Sequence, residues 1–351
     1  MASDLSVDNE IKRLTEKKIP LGYKRFVTHL SQIQNNLKQA GATNTVAITF
    51  YNLGSRQTLF YLEGLARIYR RIHNPKRFKR LRNDFKEIED QLGRVDFYDG
   101  WVKEFSVQKD FPAVLLENFK EHMNSEVKIL GELMVEKKWA GTNPGVITEI
   151  LSELDSADWL TPEKDSNQIA GMMNDELLEF DRDYNEGTLD FHDIENGLHK
   201  FRRDVRWFSI YAQALNGLVQ LKEVSVPNQK LTAYLTPEVL NSPYNKLPPL
   251  KEDVSPIYIE APNFYALSWL INELGVLKDD GLRIHTLKAA AEETKFSNDL
   301  TFESLLKQLP VKSKCTIDEI VRKAEIITDK FIKEDSLLKL IGRDIRNSVP
   351  S

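Results

Sequence analysis

Apolar residues recur at helical spacing along most of this chain. The clearest case is residues 77–92, where apolar side chains follow one another at alternating steps of three and four: Phe78, Leu81, Phe85, Ile88 and Leu92. Such steps place all of them on one face of an α-helix. The residues between them are mostly charged, which suits a solvated opposite face. The segment therefore predicts an amphipathic helix.

The same periodicity predicts helices through most of the remaining sequence. They cover about Thr45–Ile72 (ended by His73-Asn74-Pro75), 113–138, about Phe191–Leu221, about Asn263–Leu274 and much of 299–346. No segment shows a convincing alternation of apolar and polar residues of the kind that marks a β-strand. The predicted fold class is all-α.

Two landmarks occur once in each half of the chain, in the same order. The frame Arg-x4-Tyr-x3-Leu begins at Arg56 and again at Arg206. A helix that ends in Leu-Gly before acidic residues is predicted at Leu92-Gly93 and again at Leu274-Gly275. We interpret this repetition as an internal duplication, which predicts two similar antiparallel helical bundles.

The landmarks also indicate where the halves differ. The first pair is 150 residues apart and the second 182, so the second half carries an insertion of 32 residues. It falls at 224–262, which holds seven of the fourteen prolines and is predicted to be an ordered loop with a short helix near 236–241. We therefore predict a first helical bundle over 20–140, a connecting segment over 141–188, a second helical bundle over 189–298 that contains the Pro-rich insertion, and a C-terminal helical extension over 299–351.

Composition and charge narrow the possible partners. The chain has 351 residues and a formal net charge of -5, so it can bury a large core but does not have the basic balance of a nucleic-acid-binding protein. Its single cysteine, Cys315, excludes an intramolecular disulfide and is expected to be structural, at a helix start. No secretory signal and no bilayer-spanning apolar run is visible. We expect a cytoplasmic protein with no membrane partner and no specific nucleic-acid partner.

A basic stripe is the most informative chemical feature. His199, Arg202, Arg203 and Arg206 stand at i, i+3, i+4 and i+7, so they share one face of a helix. Like charges at these spacings destabilise an isolated helix slightly, so a facing anion would explain their grouping. Arginine presents forked donors that match pairs of phosphate oxygens. The stripe predicts a site for a phosphorylated anion.

The first half contributes further candidate cations on its predicted helices. They are Arg56, Arg67, Arg71, Lys79 and Arg82. A plainer interpretation is that such residues lie on solvated faces or pair with internal acids, for example Glu87, Asp204 or Glu195. A polyanion cleft between the two bundles and internal ion pairing are therefore both open at this stage.

These motifs resemble the CHAD family, the conserved-histidine α-helical domains. In that family each half carries a His-x-x-Arg-x-x-x-Arg helix and a later Leu-Gly-x-x-x-Asp turn. His199, Arg202 and Arg206 match the first pattern, and Leu274-Gly275 with Asp279 matches the second. In the first half Arg56 matches, and Leu92-Gly93 is followed by an acid one position early. The resemblance covers roughly residues 20–300.

The resemblance implies two four-helix bundles related by duplication and a function without catalysis. The implied ligand is inorganic polyphosphate or another phosphorylated polyanion, held in a basic cavity by His199, Arg202, Arg206 and Arg56. The alternative is a helical interaction or scaffold protein that keeps such a fold without the ligand. Its basic residues would point outward or pair with acids.

Two further constellations suggest metals. Asp181 to Asp193 resembles a calcium-binding loop, but counted from Asp181 its glycine comes seventh and its last acid thirteenth, one position late for such a loop. A helix-capping acidic turn explains it better. His192, Glu195 and His199 could line up toward a metal, although pairing of Glu195 with His199 or Arg202 is the simpler interpretation. No phosphate-loop, dinucleotide or nucleophile motif is present, so no cofactor and no enzymatic activity are expected.

Overall fold

The fold is predominantly helical, with one small two-stranded sheet, which confirms the all-α prediction at this level. The computed structural model describes residues 19–41, 45–142, 144–187, 190–224, 228–251, 255–296 and 315–348. The chain divides into two compact units, Met1–Asp165 and Ser166–Ser351. Across the described ranges, no helix combines the length and the apolar character that crossing a bilayer requires.

The helices of the first unit follow one another with short connections. They are α1 (Leu21–Ala40), α2 (Val46–Asn52), α3 (Ser55–Ile72), α4 (Pro75–Ser106), α5 (Ala113–Glu136) and α6 (Val146–Asp155). The predicted single helix from Thr45 to Ile72 is wrong, because the chain breaks between α2 and α3. Gly54 has a left-handed φ of 72° at that point, which glycine adopts without steric cost.

Helix α4 is longer than the sequence predicted. It begins at Pro75, and the Asn74 side chain accepts a hydrogen bond from the backbone N–H of Arg77 at 3.0 Å. It then continues through Leu92-Gly93, where the sequence predicted an end. A glycine inside a helix costs only about 1 kcal/mol relative to alanine, so neighbouring helical residues can carry the helix through it.

An aromatic cluster forms one end of the first unit's core. The rings of Phe26, Tyr69 and Phe78 are buried and pack within 6 Å of one another. The indole of Trp159, which follows α6, packs against the same three rings. The cluster ties α1, α3 and α4 to the segment after α6.

The range 141–188, predicted as a connecting segment, contains both α6 and α7 (Pro162–Asn185). Helix α7 begins in the first unit, where Asp165 lies in its first turn, and its later residues belong to the second unit.

The second unit combines helices with irregular turns. Its elements are a π-helical turn (Ile194–His199), α8 (Lys200–Ala214), β1 (Val219–Lys222), a 3-10 turn (Gln229–Tyr234), α9 (Pro237–Leu240), a second 3-10 turn (Pro243–Asn245), β2 (Ile257–Glu260), α10 (Ala261–Glu293), α11 (Ile317–Asp329), a second π-helical turn (Lys330–Glu334) and α12 (Leu337–Asn347).

Strands β1 and β2 correct two predictions. They pair in parallel, with Val219 opposite Ile257 and Leu221 opposite Ile259, although no strand was predicted. Four residues are too few for an alternating pattern to stand out from a helical one. The helix predicted from Phe191 to Leu221 therefore ends at Ala214 and gives way to β1.

The described parts of the Pro-rich insertion and of the tail agree with the sequence at two helices. Helix α9 lies within the short helix predicted near 236–241. Helix α10 extends well beyond the predicted end at Leu274 and passes through Gly275. The described part of the tail is helical, as α11 and α12, and the predicted helix over 299–314 lies outside the described residues. Cys315 immediately precedes Thr316, the N-cap of α11, as expected of a helix start.

Candidate anion-binding site

The basic stripe lies on the segment where the π-helical turn passes into α8. The Asp193 side chain caps this turn by accepting a hydrogen bond from the backbone N–H of Asn196 at 2.8 Å. Gly197 is packed so closely on the preceding chain that a Cβ there would lie 1.7 Å from the carbonyl oxygen of Asp190. Only glycine fits this position. The turn therefore fixes the start of the helix that carries the stripe.

Arg202 is the most constrained member of the stripe. Its side chain lies against α10, where a Cβ on Gly275 would come within 3.0 Å of the Arg202 Nε. The Nε donates a hydrogen bond to the backbone carbonyl of Ile271 at 2.9 Å. In the described part of the chain, no carboxylate forms an ion pair with its guanidinium. The cation is thus held partly buried by packing and by a neutral acceptor.

Burial has a clear electrostatic consequence for this side chain. Desolvation, reinforced by the nearby cation of Arg206, lowers the pKa of Arg202 to about 10, and Asp279 acts in the opposite direction without forming an ion pair. Arg202 remains charged at neutral pH. Any anion that reached it would relieve a charge that the protein itself leaves uncompensated.

The remaining stripe residues lie on the same segment as Arg202. His199 Nδ1 lies 3.0 Å from Glu195 Oε2, and this hydrogen bond, with the charges of Arg203 and Lys278, lowers the pKa of Glu195. Arg203 is exposed on α8. The Lys278 side chain is mostly buried and pairs with the neighbouring Asp279. The face therefore carries more cations than acids.

In the first unit, Arg56 is compensated by two acids. Its Nε donates to Glu89 Oε1 at 2.9 Å, and its Nη1 pairs with Asp96 Oδ2 at 2.5 Å. Its guanidinium lies against α4, where a Cβ on Gly93 would be 2.7 Å from Nη2. Arg56 is therefore occupied within its own unit.

Arg82 forms a second ion pair between the same two helices. Here the arginine lies on α4 and the glutamate on α3, the reverse of the Arg56–Glu89 pair. Its Nε lies 3.2 Å from Oε1 of Glu63 on α3. Glu63 and Glu89 are only 1% and 4% exposed. Burial raises the pKa of each carboxyl, and outweighs the lowering by Arg82 and Arg67 at Glu63 and by Arg56 at Glu89. These pairs join α3 to α4 about two helical turns apart.

Of the other three candidates of the first half, Arg67 is half-buried on α3 near Glu63, and Arg71 and Lys79 lie on the surface of their helices. Arg71 is exposed in the last turn of α3, and Lys79 is exposed in the second turn of α4. Two of the three acids suggested as partners for the basic residues have other contacts: Glu87 pairs with Lys137 at 3.0 Å and Asp204 with Lys200 at 2.7 Å. The third, Glu195, pairs with His199.

The two units share one local arrangement. In each, an arginine on one helix lies flat against a glycine inside a second helix, Arg56 on Gly93 and Arg202 on Gly275. By this packing the counterpart of Arg56 is Arg202, whereas the Arg-x4-Tyr-x3-Leu frame aligned Arg56 with Arg206. The Leu-Gly landmarks are thus close-approach positions in the middle of helices, and they do not end them.

The suggested metal constellations do not assemble. Asp181, Asp183 and Asn185 lie on α7, and residues 188 and 189 of the proposed calcium loop are outside the described residues. His192 contacts Asp190, while Glu195 pairs with His199, as the simpler interpretation held. Over the described ranges, no group of three or more His, Cys, Asp or Glu side chains has metal-binding geometry.

Sequence patterns missed the residues that distinguish the two arginines. Glu63 and Glu89 were not singled out, and neither were Ile271 and Lys278. A signal was present, since Glu89 and Ile271 each stand four residues before the glycine of a Leu-Gly landmark. Comparison of the whole chain with protein-family models, with curated proteins and with solved structures found no match.

Proposed function

We propose that the second unit binds a phosphorylated polyanion, such as inorganic polyphosphate, on the face that carries His199, Arg202, Arg203 and Arg206, and that it does so without catalysis. The observation that carries the proposal is the state of Arg202. It is a partly buried cation with a lowered pKa, and among the described residues it has no ion-pairing acid. Its Nε is used by a backbone carbonyl, which leaves its terminal nitrogens to a ligand.

Physical chemistry favours an external anion at such a position. Taking a cation out of water costs free energy unless an opposite charge compensates it. The adjacent Arg206 increases that cost, and phosphate oxygens would repay it through charge-assisted hydrogen bonds. A chain of phosphates would also satisfy several neighbouring cations at once, which suits a stripe better than a single carboxylate does.

The resemblance to CHAD domains and the internal duplication belong to the same proposal. The duplication is supported by the shared Arg-on-Gly packing of Arg56 with Gly93 and of Arg202 with Gly275, which matches Arg56 to Arg202 where the sequence frame matched it to Arg206. On this view both units descend from one helical module, and the ligand contact survives in the second.

The scaffold alternative is favoured by a specific observation in the first unit. Arg56 and Arg82 pair with Glu89 and Glu63, which are buried between α3 and α4. These arginines hold helices together. If the second unit also failed to bind anions, the whole chain would be a helical scaffold.

Titration of the purified chain with medium-length polyphosphate by calorimetry tests the proposal. We expect binding that weakens as sodium chloride is raised, because phosphate contacts release counterions. Arg202→Met should weaken it about 10- to 100-fold, the value of hydrogen bonds to a charged group. The matched control is Arg56→Met, which removes an arginine already neutralised and should leave the affinity unchanged.

Circular dichroism of both variants must show unchanged helicity for the comparison to count. Absence of binding by the wild-type chain at low ionic strength would overturn the proposal. An equal loss in both variants would overturn it too, because general electrostatic attraction would then explain the binding.

A further inference from the structure

The surroundings of the two glycine-packed arginines differ at two matching positions. In the first unit, Glu89 stands four residues before Gly93 and Asp96 three residues after it, and both contact Arg56. In the second unit the corresponding positions around Gly275 are held by Ile271 and Lys278. Residues seven apart on a helix lie on the same face, one turn to either side of the glycine. The first arginine thus contacts two carboxylates, whereas the matching positions around the second carry none. Asp279, next to Lys278, acts on Arg202 without forming an ion pair.

Resting on the proposed function, we infer that these two positions determine which arginine is available to an anion: Glu89 with Asp96 closes the Arg56 site, and Ile271 with Lys278 keeps the Arg202 site open. They are specificity-determining positions of the module, since they set the charge around an arginine whose placement on glycine is the same in both units.

The hydrogen bonds support this assignment atom by atom. The Nε of Arg56 donates to the Glu89 carboxylate, whereas the Nε of Arg202 donates to the main-chain carbonyl of Ile271, the residue at the matching position. The Nη1 of Arg56 reaches Asp96. At the matching position, Lys278 offers Arg202 no carboxylate and pairs with its neighbour Asp279. Arg202 is therefore held in place by a main-chain carbonyl, and the side chains at positions 271 and 278 add no negative charge.

A reciprocal exchange tests the inference. The double variant Ile271→Glu/Lys278→Asp should close the second site and weaken polyphosphate binding about 10-fold or more, as expected when charge-assisted hydrogen bonds are lost. Ile271→Gln has the size of the glutamate without its charge and should weaken binding less than the double variant does. The double variant Glu89→Ile/Asp96→Lys should open the first site, so that a second equivalent of polyphosphate is bound.

A second measurement does not depend on any ligand. Phenylglyoxal modifies arginines that are not ion-paired, and mass spectrometry gives the rate at each arginine. The rate at Arg202 should fall severalfold in Ile271→Glu/Lys278→Asp and stay at the wild-type value in Ile271→Gln. The rate at Arg56 should rise in Glu89→Ile/Asp96→Lys, with each arginine compared only with itself.

The two measurements separate the possible failures. If no variant and no wild-type chain binds polyphosphate but the modification rates change as expected, the proposed function is wrong and the control of arginine availability stands. If the rates at Arg202 and Arg56 do not respond to the exchanges in folded variants, the inference is overturned whatever the binding shows.

Discussion

An arginine packed on a helical glycine can stabilise the folded state or destabilise it. This protein contains one arginine of each kind, Arg56 and Arg202. Arg56 compensates the buried carboxylate of Glu89, and Lys86 adds a smaller effect of the same sign. Arg202 forms no ion pair among the described residues: its hydrogen bond goes to a carbonyl, and Asp279 acts on it only at a distance. The first is therefore a structural residue, and the second is a cost that a ligand can offset.

This difference predicts opposite stability changes for one substitution at the two places. Arg56→Met should lower the free energy of unfolding by about 1–3 kcal/mol, because it leaves a buried acceptor without its donor. Arg202→Met should leave it unchanged or raise it by up to about 1 kcal/mol, because it removes a cation that burial disfavours. Denaturant unfolding of both variants at neutral pH measures the two values. A large destabilisation by Arg202→Met would show that Arg202 is a structural residue.

At the residue scale the sequence predicted the position of the stripe and not its chemistry. The i, i+3, i+4, i+7 spacing identified His199, Arg202, Arg203 and Arg206 as residues of one helical face. Spacing carries no information about residues on another helix, and both the Glu89 partner of Arg56 and the Ile271 partner of Arg202 lie on one. Whether a charged side chain finds an opposite charge depends on contacts between helices, which helical spacing does not show.

At the element scale, glycine has three different roles that the sequence does not distinguish. Gly54 breaks the chain between α2 and α3 with a left-handed φ. Gly93 and Gly275 stay inside long helices and admit an arginine side chain. Gly197 admits the main chain of Asp190. Periodicity therefore predicted most of the helices but misplaced the ends that depend on what packs against a glycine. It gave no separate helix for α1 and left α6 and α7 in a predicted connecting segment.

The π-helical turn before α8 gives a prediction at this scale. Gly197→Ala should destabilise the chain by about 3 kcal/mol, the upper range for overpacking, because the added methyl would overlap the Asp190 carbonyl and neither backbone can move cheaply. Gly171 on α7 is the matched control, since a Cβ there has open space around it. Gly171→Ala should stabilise by about 1 kcal/mol through helix propensity.

Thermal or denaturant unfolding of the two alanine variants provides the measurement. Equal stability changes would mean that the turn relaxes around the methyl group and that Gly197 is not required for the start of α8.

At the scale of the whole molecule, the described contacts group into two units, and a buried ion pair closes the first of them. Arg25 on α1 contacts Asp165 Oδ2 at 2.6 Å, and Tyr69 on α3 donates to Asp165 Oδ1 at 2.7 Å. Burial opposes the charge of Arg25, yet Tyr69 and Asp165 outweigh it and raise its pKa. These three residues are distant in sequence and follow no period, so no pattern in the sequence could predict their meeting.

This ion pair leads to a prediction about how local stability is distributed. Asp165→Leu should destabilise the first unit by about 3–5 kcal/mol, because Arg25 would stay buried without its carboxylate. Hydrogen exchange should therefore accelerate at the amides of α1 and α3, while α10, which has its own buried core in the second unit, keeps its wild-type protection.

Adding Arg25→Met to Asp165→Leu should restore most of the lost protection, since removing both charges leaves no buried charge without a partner. If the double variant exchanges as fast as the single one, the Arg25–Asp165 contact stabilises the unit through packing and not through charge compensation. If α10 loses protection together with α1, the two units open as one cooperative structure.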